Sequence, residues 1–358
     1  MIKVNFITTW GTKCGIADYS EYLVNALKKC ENLKISIVQI KKPNIHNPFY
    51  FIKLLNKVKK FEITHVQYQP SLFGYIPYIP IFINYFPIFI FFLKFWKKNR
   101  IITTVHEFVL NSVVDKINLK FLKLSDKIIV HNKNLADLLE TNGVPQEKLS
   151  IIPHGTPKGQ ILDKKISKEK LGVSNKNVLT IFGFIHENKG HDLLIEALSN
   201  LNDNITLLIA GGARVKEHES FYNNLKERSH ELKLKDRIKF LDYVKEEDLP
   251  IIFNATDIAI FPYRWIITSG SFHLTLSYKI PTITSDLNYF KEIKKEYDCL
   301  ITFKKDNKED LVEKITYLLN NKEKQTYLKE NCENFYIQTR WESVAKKTLN
   351  LYLDHKID

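Results

Sequence analysis

Holding a phosphate takes cations and open backbone amides, and residues 261–281 offer both within one short run. The stretch reads Phe-Pro-Tyr-Arg-Trp-Ile-Ile-Thr-Ser-Gly-Ser-Phe-His-Leu-Thr-Leu-Ser-Tyr-Lys-Ile-Pro, so a strand end, a Ser-Gly turn and a helix start succeed one another. A helix beginning at Ser269-Gly270 presents unpaired N–H groups and the positive end of its dipole. Such an end can hold a phosphate, or the run can be an ordinary strand-to-helix turn with nothing bound. Arg264, just ahead of the turn, carries a planar fork suited either to phosphate oxygens or to a surface salt bridge.

Three other places carry residues of the same kind. Trp10-Gly11-Thr12-Lys13-Cys14-Gly15-Ile16-Ala17 lies between a first strand and a first helix, and its glycines either let backbone approach a ligand or only make a tight turn. Its spacing is neither GxGxxG nor a Walker loop, which weakens the dinucleotide and kinase readings. Gly183-Phe184-Ile185-His186-Glu187-Asn188-Lys189-Gly190 likewise joins a strand to a helix, and Lys189 either neutralises a phosphate there or is a solvated lysine. His106 follows the strand 101–105 and is a packed residue or a functional one. No Ser-His-Asp order and no dense carboxylate cluster stands out.

The elements that must position these residues alternate from end to end. Apolar runs at 3–8, 35–40, 63–68, 101–105, 127–131 and 150–152 read as strands, and a helix is expected over 18–29. A polar, Lys-rich stretch follows Pro153-His154-Gly155, and the pattern restarts at Val178. Strands are expected at 178–183, 205–210, 237–241, 257–261 and 281–285. Helices are expected at 189–200, 216–232, 246–253, 270–279, 308–320 and 340–354. Alternation implies parallel sheets with helices on both faces, and a restart after a linker marks a domain boundary. The expected fold is α/β, two doubly wound domains whose strand C-termini turn toward a shared cleft, the default ligand site.

Length and composition agree with that division. A chain of 358 residues exceeds one ordinary core, and 44% hydrophobic content is ample for two. Cys14, Cys30, Cys299 and Cys332 form no CxxC pair, which argues against a zinc site or a secreted disulfide framework and for a reducing cytoplasm. Net charge is +13, from 53 Lys and Arg against 40 Asp and Glu. The excess suits polyanions, anionic lipid surfaces or phosphorylated small molecules, or reflects a Lys-rich composition, since the basic residues are spread out. Neither zinc-finger spacing nor an RNA-binding aromatic signature appears, so nucleic acid is not an expected partner.

The N-terminus lacks the succession of a signal peptide and reads as a buried strand. Tyr75–Leu93 carries no charge, and Lys94, Lys97, Lys98 and Arg100 follow it. Its length approaches a membrane span, yet Pro77, Pro80 and Pro87 interrupt it. A span, a monotopic patch over 75–98 dipping into the interface, and a buried helix all remain open.

Taken in order, the motifs resemble glycosyltransferase family 4, retaining sugar-nucleotide enzymes of the GT-B fold with two Rossmann-like domains. Cys14-Gly15-Ile16-Ala17-Asp18-Tyr19 is similar to the family's N-terminal Gly-rich loop. His65-Val66-Gln67-Tyr68-Gln69-Pro70 and Val105-His106-Glu107 are similar to its next two cleft loops, and Ile151-Ile152-Pro153-His154-Gly155 to the end of its first domain. Phe182-Gly183 through Lys189-Gly190 resembles its phosphate loop, and Trp341-Glu342-Ser343-Val344-Ala345 its returning C-terminal helix. The resemblance implies an acceptor domain over 1–155, a donor domain over 156–338 and a helix over 339–358 crossing back to the first domain.

It also implies retaining transfer of a sugar from a UDP- or GDP-sugar, with neither an essential metal nor a further cofactor. The acceptor would be a glycan or lipid-linked glycan in cell-surface polysaccharide or glycoconjugate synthesis, at the cytoplasmic face of the membrane. Lys189 would stabilise the leaving diphosphate, helped by Gly15, Gly183 and the Ser269-Gly270 helix end. Arg264 would substitute for the arginine that many members carry beside that lysine, a position held here by Phe184. His106 would lie near the reacting sugar, and Tyr243-Val244 would meet the base. Most members place two glutamates in the last motif, where Ile266 and Leu274 stand here. This matches a subset whose loop reads Pro-Tyr-Arg and then Ser-Gly. Ser269, Ser271 or Glu292 would supply some of the missing contacts. The alternative is a non-catalytic GT-B subunit that binds a glycan or an enzyme partner; a sugar-nucleotide epimerase lacks a convincing acid and base pair.

Overall fold

The computed structural model describes residues 1–12, 14–41, 44–74, 84–213 and 218–354. The chain divides into two compact units, Met1–Gly155 with Thr339–Asp358, and Thr156–Gln338.

In the first unit the apolar runs become β1 (Ile2–Thr8), β2 (Leu33–Gln39), β3 (Ile63–Tyr68), β4 (Arg100–Val105), β5 (Lys127–Val130) and β6 (Leu149–Ile151). All pair in parallel, in the order β2-β1-β3-β4-β5-β6. Every residue of β3 is buried, the mark of a parallel strand covered on both faces. Chain order reverses between β1 and β3, so the loops after these strands flank the crevice where doubly wound sheets take ligands. The first helix, Gly15–Leu27, starts earlier than its periodicity suggested.

The helix Trp341–Leu353 packs on Gly15–Leu27, burying Trp341, Val344, Ala345 and Tyr352 against Tyr19, Leu23 and Leu27. Gly155 shows how tightly it seats: a Cβ there would lie 2.3 Å from the Trp341 ring.

The second unit holds β7 (Asn177–Phe182), β8 (Ile205–Ala210), β9 (Ile238–Phe240), β10 (Ile258–Phe261), β11 (Thr282–Ser285) and β12 (Leu300–Phe303). Their order is β12-β11-β10-β7-β8-β9, again all parallel, and the reversal lies between β7 and β10. The edge strand β12 was not expected. It is four residues long, and a left-handed Asp298 (φ 44) turns the preceding helix Asn288–Tyr297 into it without glycine. The expected helix 189–200 runs His191–Leu198; Glu187–Lys189 is a separate 3₁₀ turn, closed by a left-handed Gly190 (φ 67). Both sheets are cored by Ile, Leu, Val and Phe, and in the second unit a separate aromatic cluster centred on Phe261, Phe272, Phe290 and Phe335 packs beneath the helix Gly270–Ser277.

Residues 75–83 of the uncharged stretch lie outside the described residues. Its remainder forms a short helix, Phe86–Phe92, with Pro87 in the first turn where a missing N–H costs nothing. A π turn over Leu93–Lys97 follows and ends at a left-handed Lys98. No described helix is long and apolar enough to cross a membrane.

Candidate functional site

The crevice of the second sheet is flanked by the loops after β7 and β10, which are the two loops carrying Lys189 and Arg264. Glycines let these loops close on their neighbours. A Cβ on Gly190 would sit 2.1 Å from the Pro262 carbonyl oxygen, and one on Gly211 would sit 2.0 Å from that of Gly183. Gly183 itself (φ 129) faces Ser271, whose Oγ would be 3.3 Å from an added Cβ. The Arg264 amide donates to the Asn188 carbonyl at 2.8 Å, tying one loop to the other.

Arg264 is spent inside this assembly. Its Nη1 and Nη2 donate to Asp192 Oδ1 and Oδ2 at 3.0 and 2.7 Å, its Nε to Asp306 Oδ1 at 2.9 Å, and Nη1 also to the Glu187 carbonyl at 2.6 Å. Bonding to Asp192 above all holds the guanidinium pKa above its ordinary value. The salt-bridge reading of this residue therefore describes the structure, and the fork braces the turn that bears Lys189. None of Asp192, Asp306 and Glu187 was marked by the sequence, because each pairs with Arg264 across 42 to 77 positions.

Lys189 stands differently. Its Nζ lies 3.7 Å above the centroid of the buried Tyr263 ring, and among the described residues no carboxylate pairs with it. A ring face attracts a cation without supplying the opposite charge that a carboxylate would. Beside it, the Tyr263 hydroxyl lies 3.3 Å from Ser271 Oγ, which lies 2.9 Å from Ser269 Oγ. Ser269 caps the helix Gly270–Ser277 by accepting from the Phe272 amide at 3.2 Å. The amides of Gly270 and Ser271 precede the first intrahelical donor, the His273 amide, and carry the positive end of the dipole. His191, buried at the head of the next helix, has its pKa pushed down to about 3, by burial first and then by Lys189 and Arg264.

Tyr243 and Val244 follow β9. Tyr243 is exposed, Val244 half-buried, and Gly212 packs against the Tyr243 amide. The Tyr222 hydroxyl donates to Asp242 and anchors this turn. Ile266 and Leu274, where carboxylates were expected, are half-buried and pack on the aromatic cluster.

In the first unit, His106, His131 and His154 follow the C-terminal ends of β4, β5 and β6, and His65 sits within β3. The His106 ring meets the Gln67 amide at 2.7 Å through Nε2, and its Nδ1 lies 3.4 Å from His131 Nε2. His131 Nδ1 is 3.0 Å from the Ile152 carbonyl. Tyr19, from the helix Gly15–Leu27, lays its ring against His106, His131 and His154. Burial pushes His65 and His131 down to about 3 and His154 to about 4, and it holds His106 well below 6.5, with His131, His154 and His65 adding to the effect.

Burial thus favours the neutral form of all four rings. His131 Nδ1–H donates to the Ile152 carbonyl, and His106 Nε2–H donates to Gln67 Oε1. His106 was marked from the sequence, whereas His131 and His154 were not, although both also follow strand ends. Gly15, first residue of its helix, has open space around an added Cβ.

Residues 163–335 match the family model Glycosyl transferases group 1. The match falls within the second unit. Sequence likeness extends to mannosylfructose-phosphate synthase of Agrobacterium fabrum, 32% identical over 138 residues, 36% of this chain and 30% of that protein. Spore coat protein SA of Bacillus subtilis is 24% identical over 211 residues, 56% of this chain and 54% of that one. The chain thus spans about a third to a half of the length of these relatives. Among solved structures, Anabaena Alr3699/HepE in complex with UDP superposes with a TM-score of 0.79 at 14% identity, covering 98% of this chain and 99% of that one. That likeness shows the fold, two Rossmann-like domains of the GT-B type. Lys189, Arg264, Gly183, Ser269, Gly270 and Ser271 all fall within the matched residues.

Proposed function

We propose that the protein is a retaining, metal-independent glycosyltransferase that moves a sugar from a UDP- or GDP-sugar to a glycan or lipid-linked acceptor. The observation that carries this reading is the unequal treatment of two cations at the second sheet's crevice. Arg264 is paired with Asp192 and Asp306, while Lys189 lies on the Tyr263 face with no carboxylate partner among the described residues. A donor diphosphate would lie between Lys189 and the amides of Gly270 and Ser271, with the Gly183 turn giving it close approach. As the sugar leaves, negative charge grows on that diphosphate, and fixed donors stabilise it at no cost of reorganisation. The Tyr243-Val244 turn would flank the base. The first unit would hold the acceptor, with Gly15 and the neutral His106 toward the transferred sugar. Since burial keeps His106 unprotonated, it would act as a hydrogen-bonding group rather than as a fixed cation.

The solved HepE structures with UDP and with UDP-glucose favour a uridine donor over a guanosine one. A thermal-shift series with UDP, GDP and ADP, followed by UDP-glucose turnover, tests the reading. UDP should raise the melting temperature by mass action. No shift with any nucleoside diphosphate would overturn it. Ile266 and Leu274, apolar and packed inward where sugar-binding carboxylates were expected, favour a second reading, a GT-B subunit that binds without transferring. Nucleoside diphosphate binding without turnover on any donor would select that one.

A further inference from the structure

The helix Phe86–Phe92 and its π turn are apolar on two opposite sides. Phe86, Phe89, Ile90 and Leu93 are buried in the first unit. Ile88, Phe91, Phe92, Phe95 and Trp96 are exposed by 45%, 43%, 37%, 56% and 58%. These five stand at the three- and four-residue spacing of one helix face, and their rings touch, Phe91 to Phe95 at 4.7 Å and Phe92 to Trp96 at 6.0 Å. Soluble surfaces leave single apolar residues in water, not an unbroken aromatic stripe. The neighbouring helix Pro48–Lys57, joined to it through Phe51 and Phe89, exposes Phe49 and Ile52 as well.

Charge says what covers the stripe. No acidic residue occurs from Asn84 to Arg100, while Lys94, Lys97, Lys98 and Arg100 close the segment. Beside the π turn lies a pocket of about 610 Å³ whose walls include Lys94, Lys98, Arg100 and Lys127 against Asp126 and Asp354. Lys94 is paired with Asp126 at 2.6 Å, and Lys97 lies over the Trp96 ring. Aromatic rings followed at once by Lys97 and Lys98, which form no ion pair among the described residues, match the two layers of a bilayer surface, acyl boundary and anionic headgroup.

We propose that this face seats the protein on an anionic lipid bilayer, with Phe91, Phe92, Phe95 and Trp96 in the acyl boundary and Lys97 and Lys98 at the headgroups. The helix and π turn together cover Phe86–Lys97, too short to span, so the mode is monotopic. The inference stands apart from the transfer reading, because it uses no residue of the crevice.

The test is flotation of the full chain with vesicles of phosphatidylcholine alone or with phosphatidylglycerol added. Binding is expected on the anionic vesicles and should weaken with salt. Phe91→Ser with Phe95→Ser should lower it by at least about tenfold, since two ring burials are lost. Lys97→Glu with Lys98→Glu should lower it by at least about fivefold per charge on anionic vesicles alone. Quenching of tryptophan emission by brominated lipid should fall on Trp96→Phe, a readout that needs no change in binding. Absence of flotation at low salt would overturn the proposal, as would double variants that fold and bind like the parent. A concentration-dependent dimer abolished by the Phe91 and Phe95 changes would assign the face to a second copy and overturn it too. UDP binding by these variants should be unchanged, which separates this failure from that of the transfer reading.

Discussion

Lys189→Met removes one charge and keeps the aliphatic stem near Tyr263, so it isolates what the ammonium does. Two unit charges about 4 Å apart interact by about 1 kcal/mol in water and about 4 kcal/mol at an effective dielectric near 20. Lys189 is half-buried and paired with no carboxylate among the described residues, so neither limit applies, and a value of about 2 kcal/mol follows. That is roughly thirtyfold in UDP affinity. The folded state loses only the contact with the Tyr263 ring, about 0.5 to 1 kcal/mol, and melting should fall by no more than about 4 °C.

Arg264→Met is the control, because its role differs. It strips four hydrogen bonds that tie Asp192, Asp306 and Glu187 together, worth about 2 kcal/mol after discounting for an arginine side chain 31% exposed. Melting should then drop by about 4 to 8 °C, with UDP affinity falling because the Lys189 turn loosens. Isothermal titration with UDP and thermal melts on both variants separate the two outcomes. If Lys189→Met binds UDP within about threefold of the parent, the charge is not aimed at a diphosphate and the reasoning fails. If Arg264→Met loses affinity without losing stability, Arg264 itself grips the ligand.

Acid should destabilise the first unit in a particular window. His65, His106, His131 and His154 have folded pKa values below the ordinary 6.5, so the unfolded chain binds more protons and stability falls as pH drops below about 6.5 toward 4. By pH 5 each of His65, His131 and His154 costs about 2 kcal/mol, and a melting temperature that stayed level between pH 7.5 and 5 would contradict their neutral burial. Gly190→Ala should cost about 2 to 4 kcal/mol, since φ is 67 and the new Cβ would meet the Pro262 carbonyl at 2.1 Å, a backbone atom that cannot swing away. Circular-dichroism melts check this, and an unchanged midpoint would mean the two loops are not held together as described.

Much of the fold was legible because parallel sheets announce themselves. β3 and β8 are buried at every position, and such strands must read as continuous apolar runs. Ends were legible less often. The helix expected from 189 begins at His191, because a left-handed Gly190 ends a 3₁₀ turn that has the same polar look as a first helical turn. β12 was missed because a left-handed Asp298 joins it to the preceding helix with no glycine or proline to mark the boundary, and the uncharged stretch from Tyr75 was ambiguous because burial and exposure use the same residues there. Nothing in the composition of Phe89 and Phe91 says that one is 1% exposed and the other 43%.

Site residues divide by the same logic. The placement of Lys189, Ser269 and Gly270 was legible because it is local: a loop between strand and helix puts amides and a cation at a sheet's end wherever it occurs. Arg264 was legible as a residue, but not in what it does, because its partners Asp192 and Asp306 lie 72 and 42 positions away. An arginine beside such a turn has two uses, contacting a ligand or bracing the loop that bears the lysine. Only the distances to carboxylates separate them. Here Asp192 takes both ends of the fork, so gripping a phosphate through it would require breaking a bidentate pair first. Lys189 has no such competitor among the described residues, and a ligand that needs one mobile positive charge at the crevice would find it there at no prior cost.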